Sequence, residues 1–209
     1  DPLLAALERE QAALQAARAA GDAVPDIVWS PHPVALVRLD GEPELGPVPG
    51  ADLMRAVNTD SFLVLRQGTG QWYLYLGDQW LTAPAYSGPW RGAGDVPASV
   101  TGAAAEAGIS PEALPGEPRV IVATGPTEVI VTQGDPVYAV IPGVPLLYVT
   151  NTERDLFLDL GEQRHYVVLA GRWFSTASLG SGPWAAVAPA QLPASFREIP
   201  EGSPKRGVL

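Results

Sequence analysis

The chain has 209 residues, 46% apolar and 17% charged, with a formal charge of −10. That balance is globular rather than disordered, and so acidic a surface disfavours nucleic acid, which is held by clustered Lys and Arg. Cysteine is absent, removing disulfides, thiol chemistry and zinc–thiolate sites, and no apolar run approaches the roughly 18 residues of a membrane span.

The first predicted element is a helix over DPLLAALEREQAALQAARAAG, residues 1–21. Asp1 suits an N-cap, Pro2 the first helical position and Gly21 a stop. Leu3, Leu7 and Leu14 lie on one stripe. A lone helix of this length is marginal in water, so that stripe is expected to dock on the body, on a partner chain or on a preceding domain.

The chain has 22 glycines and 22 prolines, and from Pro25 onward they punctuate short apolar runs, the mark of many short strands and tight turns. Sliding the chain by 93 positions brings its halves into register: Pro25 on Pro118, Gly41-Glu-Pro43 on Gly134-Asp-Pro136, Asn58-Thr59-Asp60 on Asn151-Thr152-Glu153, Trp80 on Trp173. One inserted residue then carries Gly88-Pro89-Trp90 onto Gly182-Pro183-Trp184. The pattern predicts an internal duplication, with one β unit at 25–117 and another at 118–209, and a short helical linker near 101–113. In the second unit RVIVAT, TEVIVTQ, PVYAVI, LLYVTNT, DLFLDL, HYVVLA and RWFSTA read as strands, giving six or seven per unit. DGEP at 40–43, QGDP at 133–136, RQGTG at 66–70 and LGEQ at 160–163 read as hairpin turns. In LFLDL, alternation puts Leu156, Leu158 and Leu160 on one side and Phe157 and Asp159 on the other, whereas YVVLA suits a strand covered on both faces.

Each unit repeats one aromatic phrase: a tyrosine strand, a turn at Gly77-Asp78 or Gly171-Arg172, a strand opening on tryptophan, then Gly-Pro-Trp. Tyr73, Trp80, Trp90, Tyr166, Trp173 and Trp184 are expected to form aromatic core plugs. Trp72, Tyr75 and Tyr86 are the candidates for an exposed ligand-binding face, stacking on a sugar ring or clamping a peptide. Their counterparts His165, Val168 and Leu179 are not all aromatic, so the second unit has lost part of any such face.

No catalytic or metal signature is present, and no cofactor is implied. His32 sits between prolines and His165 heads a strand, both read as surface or strand-end residues. The paired carboxylates Asp60/Glu153 and Glu42/Asp135 recur at turns, where they serve the turns rather than a glycosidase pair.

The stretches PTEVIVTQGDPVYAVIPGVPLLYVTNT, DLFLDL, GRWFSTASL, GPWAAV and LPASFREIPEGSPKRGVL together resemble the C-terminal part of a family of large uncharacterised exported or envelope proteins of Gram-negative bacteria. Some of these carry labels such as carbohydrate-binding or autotransporter. The resemblance spans most of residues 25–209 and implies an extracytoplasmic location, with this chain one domain of something larger. His165 departs from it, an aromatic being usual there, and so does Ser175-Thr176-Ala177, where a basic residue and Ala-Pro are common. The expectation is a mainly β protein of two antiparallel units, pseudo-symmetric or propeller-like, acting as a non-enzymatic accessory or scaffold module that contacts another protein. The alternatives are a carbohydrate-binding module using exposed Trp and Tyr, and a glycoside-active enzyme.

Overall fold

In a computed structural model the protein is mainly β, and the structure describes residues 23–108 and 119–208. The expected helix at 1–21, with Leu3, Leu7 and Leu14, lies outside the described residues, as does the end of the expected linker from 109 on, whereas its first part, 101–106, belongs to a helix that starts at Ala98.

The first half contributes β1 (Asp26–Ser30), β2 (Val34–Arg38), β3 (Leu45–Pro47), β4 (Leu53–Ala56), β5 (Phe62–Arg66), β6 (Gln71–Leu76), β7 (Gln79–Ala83), β8 (Arg91–Gly92) and helix α1 (Ala98–Glu106). The second contributes β9 (Arg119–Ala123), β10 (Thr127–Val131), β11 (Tyr138–Val140), β12 (Leu146–Val149), β13 (Leu156–Asp159), β14 (Arg164–Leu169), β15 (Arg172–Thr176), β16 (Ala185–Val187) and the one-turn helix α2 (Ala194–Arg197). Strands β3–β8 form one six-stranded antiparallel meander and β11–β16 another. Among the described residues there are eight strands per half rather than six or seven. The one missed in the second half, β16, is the alanine-rich Ala185–Val187, which carries no strong β signal.

The remaining four strands do not pair within their own half. β1 pairs in parallel with β10, and β2 in parallel with β9. The registers are Asp26↔Thr127 and Val34↔Arg119, and a shift of 93 positions exchanges the members of one ribbon for those of the other. Each half therefore lends its first strand to the other half's ribbon. The packing units are not the sequence units 25–117 and 118–209, because β1 packs with the second half and β9 with the first. The turns at 40–43 and 133–136 are corrected for the same reason. They link strands in different sheets and are not hairpins, while 66–70 and 160–163 do join hydrogen-bonded neighbours.

Each meander is a middle layer. One face of the first meander packs Leu63, Trp72 and Leu74 against Val37, Val120 and Val122 of the β2–β9 ribbon. Its other face packs Phe62, Val64 and Tyr73 against Val100 and Ala104, one turn apart on α1. The second meander repeats this, with Leu156, Val167 and Phe174 against Ile27 and Ile130 of the β1–β10 ribbon. On its far side Phe157, Tyr166 and Trp173 meet Phe196 of α2. Asp159, on the same side as Phe157 as the alternation predicts, is buried: its carboxylate accepts the Ser195 hydroxyl of α2 at 2.5 Å and the Glu162 N–H at 2.8 Å.

The aromatic phrase serves both faces. Trp80 and Trp173 join the helix-side clusters, Trp90 and Trp184 the ribbon-side ones. Trp29, unmatched in the first ribbon, packs on the second cluster and donates its indole N–H to Thr132 Oγ1 at 3.2 Å. The turn before β15 is Ala170-Gly171 rather than Gly171-Arg172, since Leu169 and Arg172 are the last facing pair. Both turn residues have positive φ (49° and 75°), the signs of a type I′ turn, which an alanine enters only with strain.

Two stability outcomes follow. Replacing Ala170, which is exposed, with Asn removes that strain and should raise unfolding free energy by about 0.5–1 kcal/mol in a urea titration. Phe196 is fully buried, its ring centroid 5.1 to 5.3 Å from those of Trp173, Phe157 and Tyr166. Phe196→Ala should cost about 3–5 kcal/mol, read as a lowered denaturation midpoint.

Candidate functional site: the open edge of the second sheet

The two meanders differ most on the ribbon-facing side, beyond where the ribbons cover them. In the first sheet a cross-strand row runs Pro47–Met54–Leu65–Trp72–Ala83. Trp72 is corrected from an exposed candidate to a buried residue at 8% exposure. Tyr86 covers it edge-on at 5.9 Å, and the Tyr86 hydroxyl donates to Glu42 Oε2 at 2.5 Å. That hydrogen bond, then burial and the nearby negative charge, push the Tyr86 phenol above its usual range. Tyr75 is half-buried and stacks on Trp80 at 4.6 Å. The three candidate aromatics thus do not converge on one open face.

In the second sheet the equivalent row is Val140–Leu147–Leu158–His165–Thr176. Here Leu179 stands for Tyr86 and Asp135 for Glu42, so the tyrosine–glutamate cover is missing. Val140 is 70% exposed, and Val137 and Tyr138 before it in the chain are exposed too. Tyr138 bridges β11 and β14 across the two strands between them, its hydroxyl 2.8 Å from His165 Nε2. His165 is therefore a half-buried member of the row rather than a surface histidine. Its Nδ1 is buried without a hydrogen-bond partner among the described residues. Desolvation lowers the His165 pKa and raises that of Tyr138, so both groups are neutral near pH 7 and the row carries no charge.

The backbone of β11 adds to this. The Ile141 N–H bonds to the Leu146 carbonyl at 3.0 Å and the Thr150 N–H to the Val137 carbonyl at 2.8 Å. By antiparallel alternation, residues 137, 139 and 141 point their polar groups at β12, while Tyr138 and Val140 point theirs away from the sheet. The equivalent edge strand β3 has Pro47 at the position of Val140, with its missing N–H on the outward side.

The loops leading into both edge strands are held alike. Asn58 Nδ2 donates to the carbonyls of Asp40 and Glu42 at 2.9 and 2.8 Å, and Asn151 Nδ2 to those of Gln133 and Asp135 at the same distances. Their Oδ1 atoms accept the N–H of Glu44 and Val137. Asn58 and Asn151 also line grooves of about 470 and 510 Å³, but both amides are committed to the loops. Glu42 serves Tyr86, and Asp60, Asp135 and Glu153 are exposed. Among the described residues no cluster of three or more His, Asp or Glu could hold a metal ion, and no helix is long and apolar enough to cross a membrane. Compared with known proteins, the chain matches no family model, no curated protein and no solved structure.

The edge residues were misjudged because PVYAVI reads as an ordinary strand; nothing local says that it ends a sheet. The pairing of Pro47 with Val140 under the 93-residue shift was the one available signal, since proline on an edge strand limits pairing.

His165 gives a test by pH. Its folded pKa lies below the unfolded value near 6.5. The unfolded chain thus binds more protons between those values, and this contribution to stability is full above about pH 6.5 and lost as pH falls toward the folded pKa. Thermal melts from about pH 7.5 down to about pH 5 should show a smaller loss of Tm in His165→Phe than in the native chain.

Proposed function

We propose that the protein is a non-enzymatic accessory or scaffold module that makes a protein–protein contact through β11 and the row behind it. The observation that carries this is Val140, 70% exposed on an edge strand whose outward backbone groups pair with no strand among the described residues. An edge strand with apolar side chains on one face accepts an added strand: the backbone ladder supplies affinity and the side-chain row supplies selectivity. We infer as well that the halves arose by internal duplication, on the register of the sequence shift and the like order of the sheets. The resemblance to exported proteins supports a setting in the bacterial envelope or outside the cell. A glycan platform has less support, because Trp72, its largest proposed surface, lies under Tyr86.

The contact can be tested by placing a photo-crosslinking amino acid at Val140, with a control at exposed Asp78 on the β6–β7 turn. In Gram-negative cells exporting the chain, light should join position 140, and not position 78, to a polypeptide, seen as a discrete heavier band. Equal, diffuse labelling at the two positions would reject the reading.

A further inference from the structure

We propose that the occupant of the β11 edge is a second copy of this chain, added as an antiparallel β11–β11 pair about a two-fold axis through Ala139; this rests on the protein-contact reading above. The outward-pointing residues are Tyr138 and Val140, two apart, with Ala139 midway between them. Turning the strand on itself about Ala139 sets Tyr138 opposite Val140 of the other copy, and Val140 opposite its Tyr138. Each is then a hydrogen-bonded pair exchanging both N–H···O bonds, so four backbone bonds form between the two central pairs. On the face that carries the row, an aromatic ring meets a β-branched side chain in both pairs, a favourable cross-strand combination. Ala139 faces Ala139 at the axis, where facing Cα atoms come closest, about 4.5 Å. The side chain there is a single methyl, which lets the strands approach.

Charge supports a copy of this chain in this place. Two chains of −10 repel one another in general, but residues 136–152 contain no Asp, Glu, Lys or Arg. Pairing through β11 brings no like charges opposite each other along the strand or the β12 beside it. The matching edge β3 cannot pair this way, because Pro47 supplies no outward N–H. Because the two-fold uses the same edge of both copies, the pairing is isologous and closes at two chains rather than growing into a filament.

The experiment is sedimentation velocity on the 209-residue chain over a wide concentration range, at low and moderate salt. The native chain should pass from monomer to dimer with rising concentration and stop there, with tighter association when salt screens the acidic surfaces. Val140→Pro transplants the first sheet's residue, removing an outward N–H and the valine side chain together. Val140→Lys leaves the backbone intact and places like charges across the pair. Each should weaken the dimer by more than about tenfold in Kd, while circular dichroism and melting show the fold retained. Should proline unfold the chain, lysine still decides. A native chain that stays monomeric throughout, or a dimer that Val140→Lys leaves unchanged, overturns the proposal. If the chain is monomeric while position 140 crosslinks to a different protein, the contact reading stands and the second copy is wrong. If position 140 crosslinks to nothing and the chain is monomeric, both fall.

Discussion

Everything in this fold depends on the exchange of first strands between its halves. A six-stranded meander has two faces, and the apolar residues on both must be removed from water. The helix that follows each meander covers one. The other is covered by a parallel ribbon of two strands, one drawn from each half. Antiparallel neighbours can be joined by a short turn, but parallel ones need a long connection, and here that connection is an entire meander with its helix. Ile27 reaches the second sheet and Val120 the first only because the halves are interlocked. Neither half buries its ribbon-side face alone, so the two are one cooperative body. Its pairings are far apart in sequence, which makes closure the slow event in folding.

That constraint explains why the sequence was legible in some respects and not in others. Strand positions followed from β-branched runs between Gly and Pro, and the repeated Trp phrase marked equivalent places in the two sheets. Burial on both faces accounts for the phrase itself: the first Trp of each copy fills the helix side, and the Trp of Gly-Pro-Trp fills the ribbon side. Pairing partners were not legible. A shift of 93 residues says that β2 and β10 are equivalent, but equivalence is the same whether a strand pairs within its half or with the other. The turns at 40–43 and 133–136 looked like hairpins because Gly and acidic residues suit any tight turn. Alternation placed Asp159 on the side of Phe157, but it could not show the burial there, because its partner, Ser195, is 36 residues away on a helix of one turn. Trp72 looked free because the ring that covers it, Tyr86, comes from a loop beyond the next strand.

The candidate site is where the two halves stop being alike. In the first half Trp72, Tyr86, Glu42 and Pro47 together close the outer part of the ribbon-side face and block its edge. In the second half the same four positions are His165, Leu179, Asp135 and Val140. The histidine is too small to fill the row and is held neutral by desolvation. The leucine cannot reach a carboxylate, and the valine restores an outward N–H. These changes act in one direction, each uncovering apolar surface or backbone in the second sheet that the first keeps hidden.

Uncovered apolar surface on a strongly acidic protein has a particular consequence. The long-range field is negative for every approaching molecule, so it discourages acidic partners and other copies alike until charge is screened or the approach is made through an uncharged face. Residues 136–152 form such a face, and His165 beside it, whose ordinary pKa lies near neutrality, is kept unprotonated by desolvation, which also raises the Tyr138 phenol further above its usual range. Hydrophobic attraction and backbone pairing act over contact distances, whereas repulsion acts over about 8–10 Å at ordinary ionic strength. A contact at β11 is therefore selective by geometry. It forms only when a strand arrives edge-on, in register, with its own charges turned away, and the exposed acidic loops around it reject the other orientations.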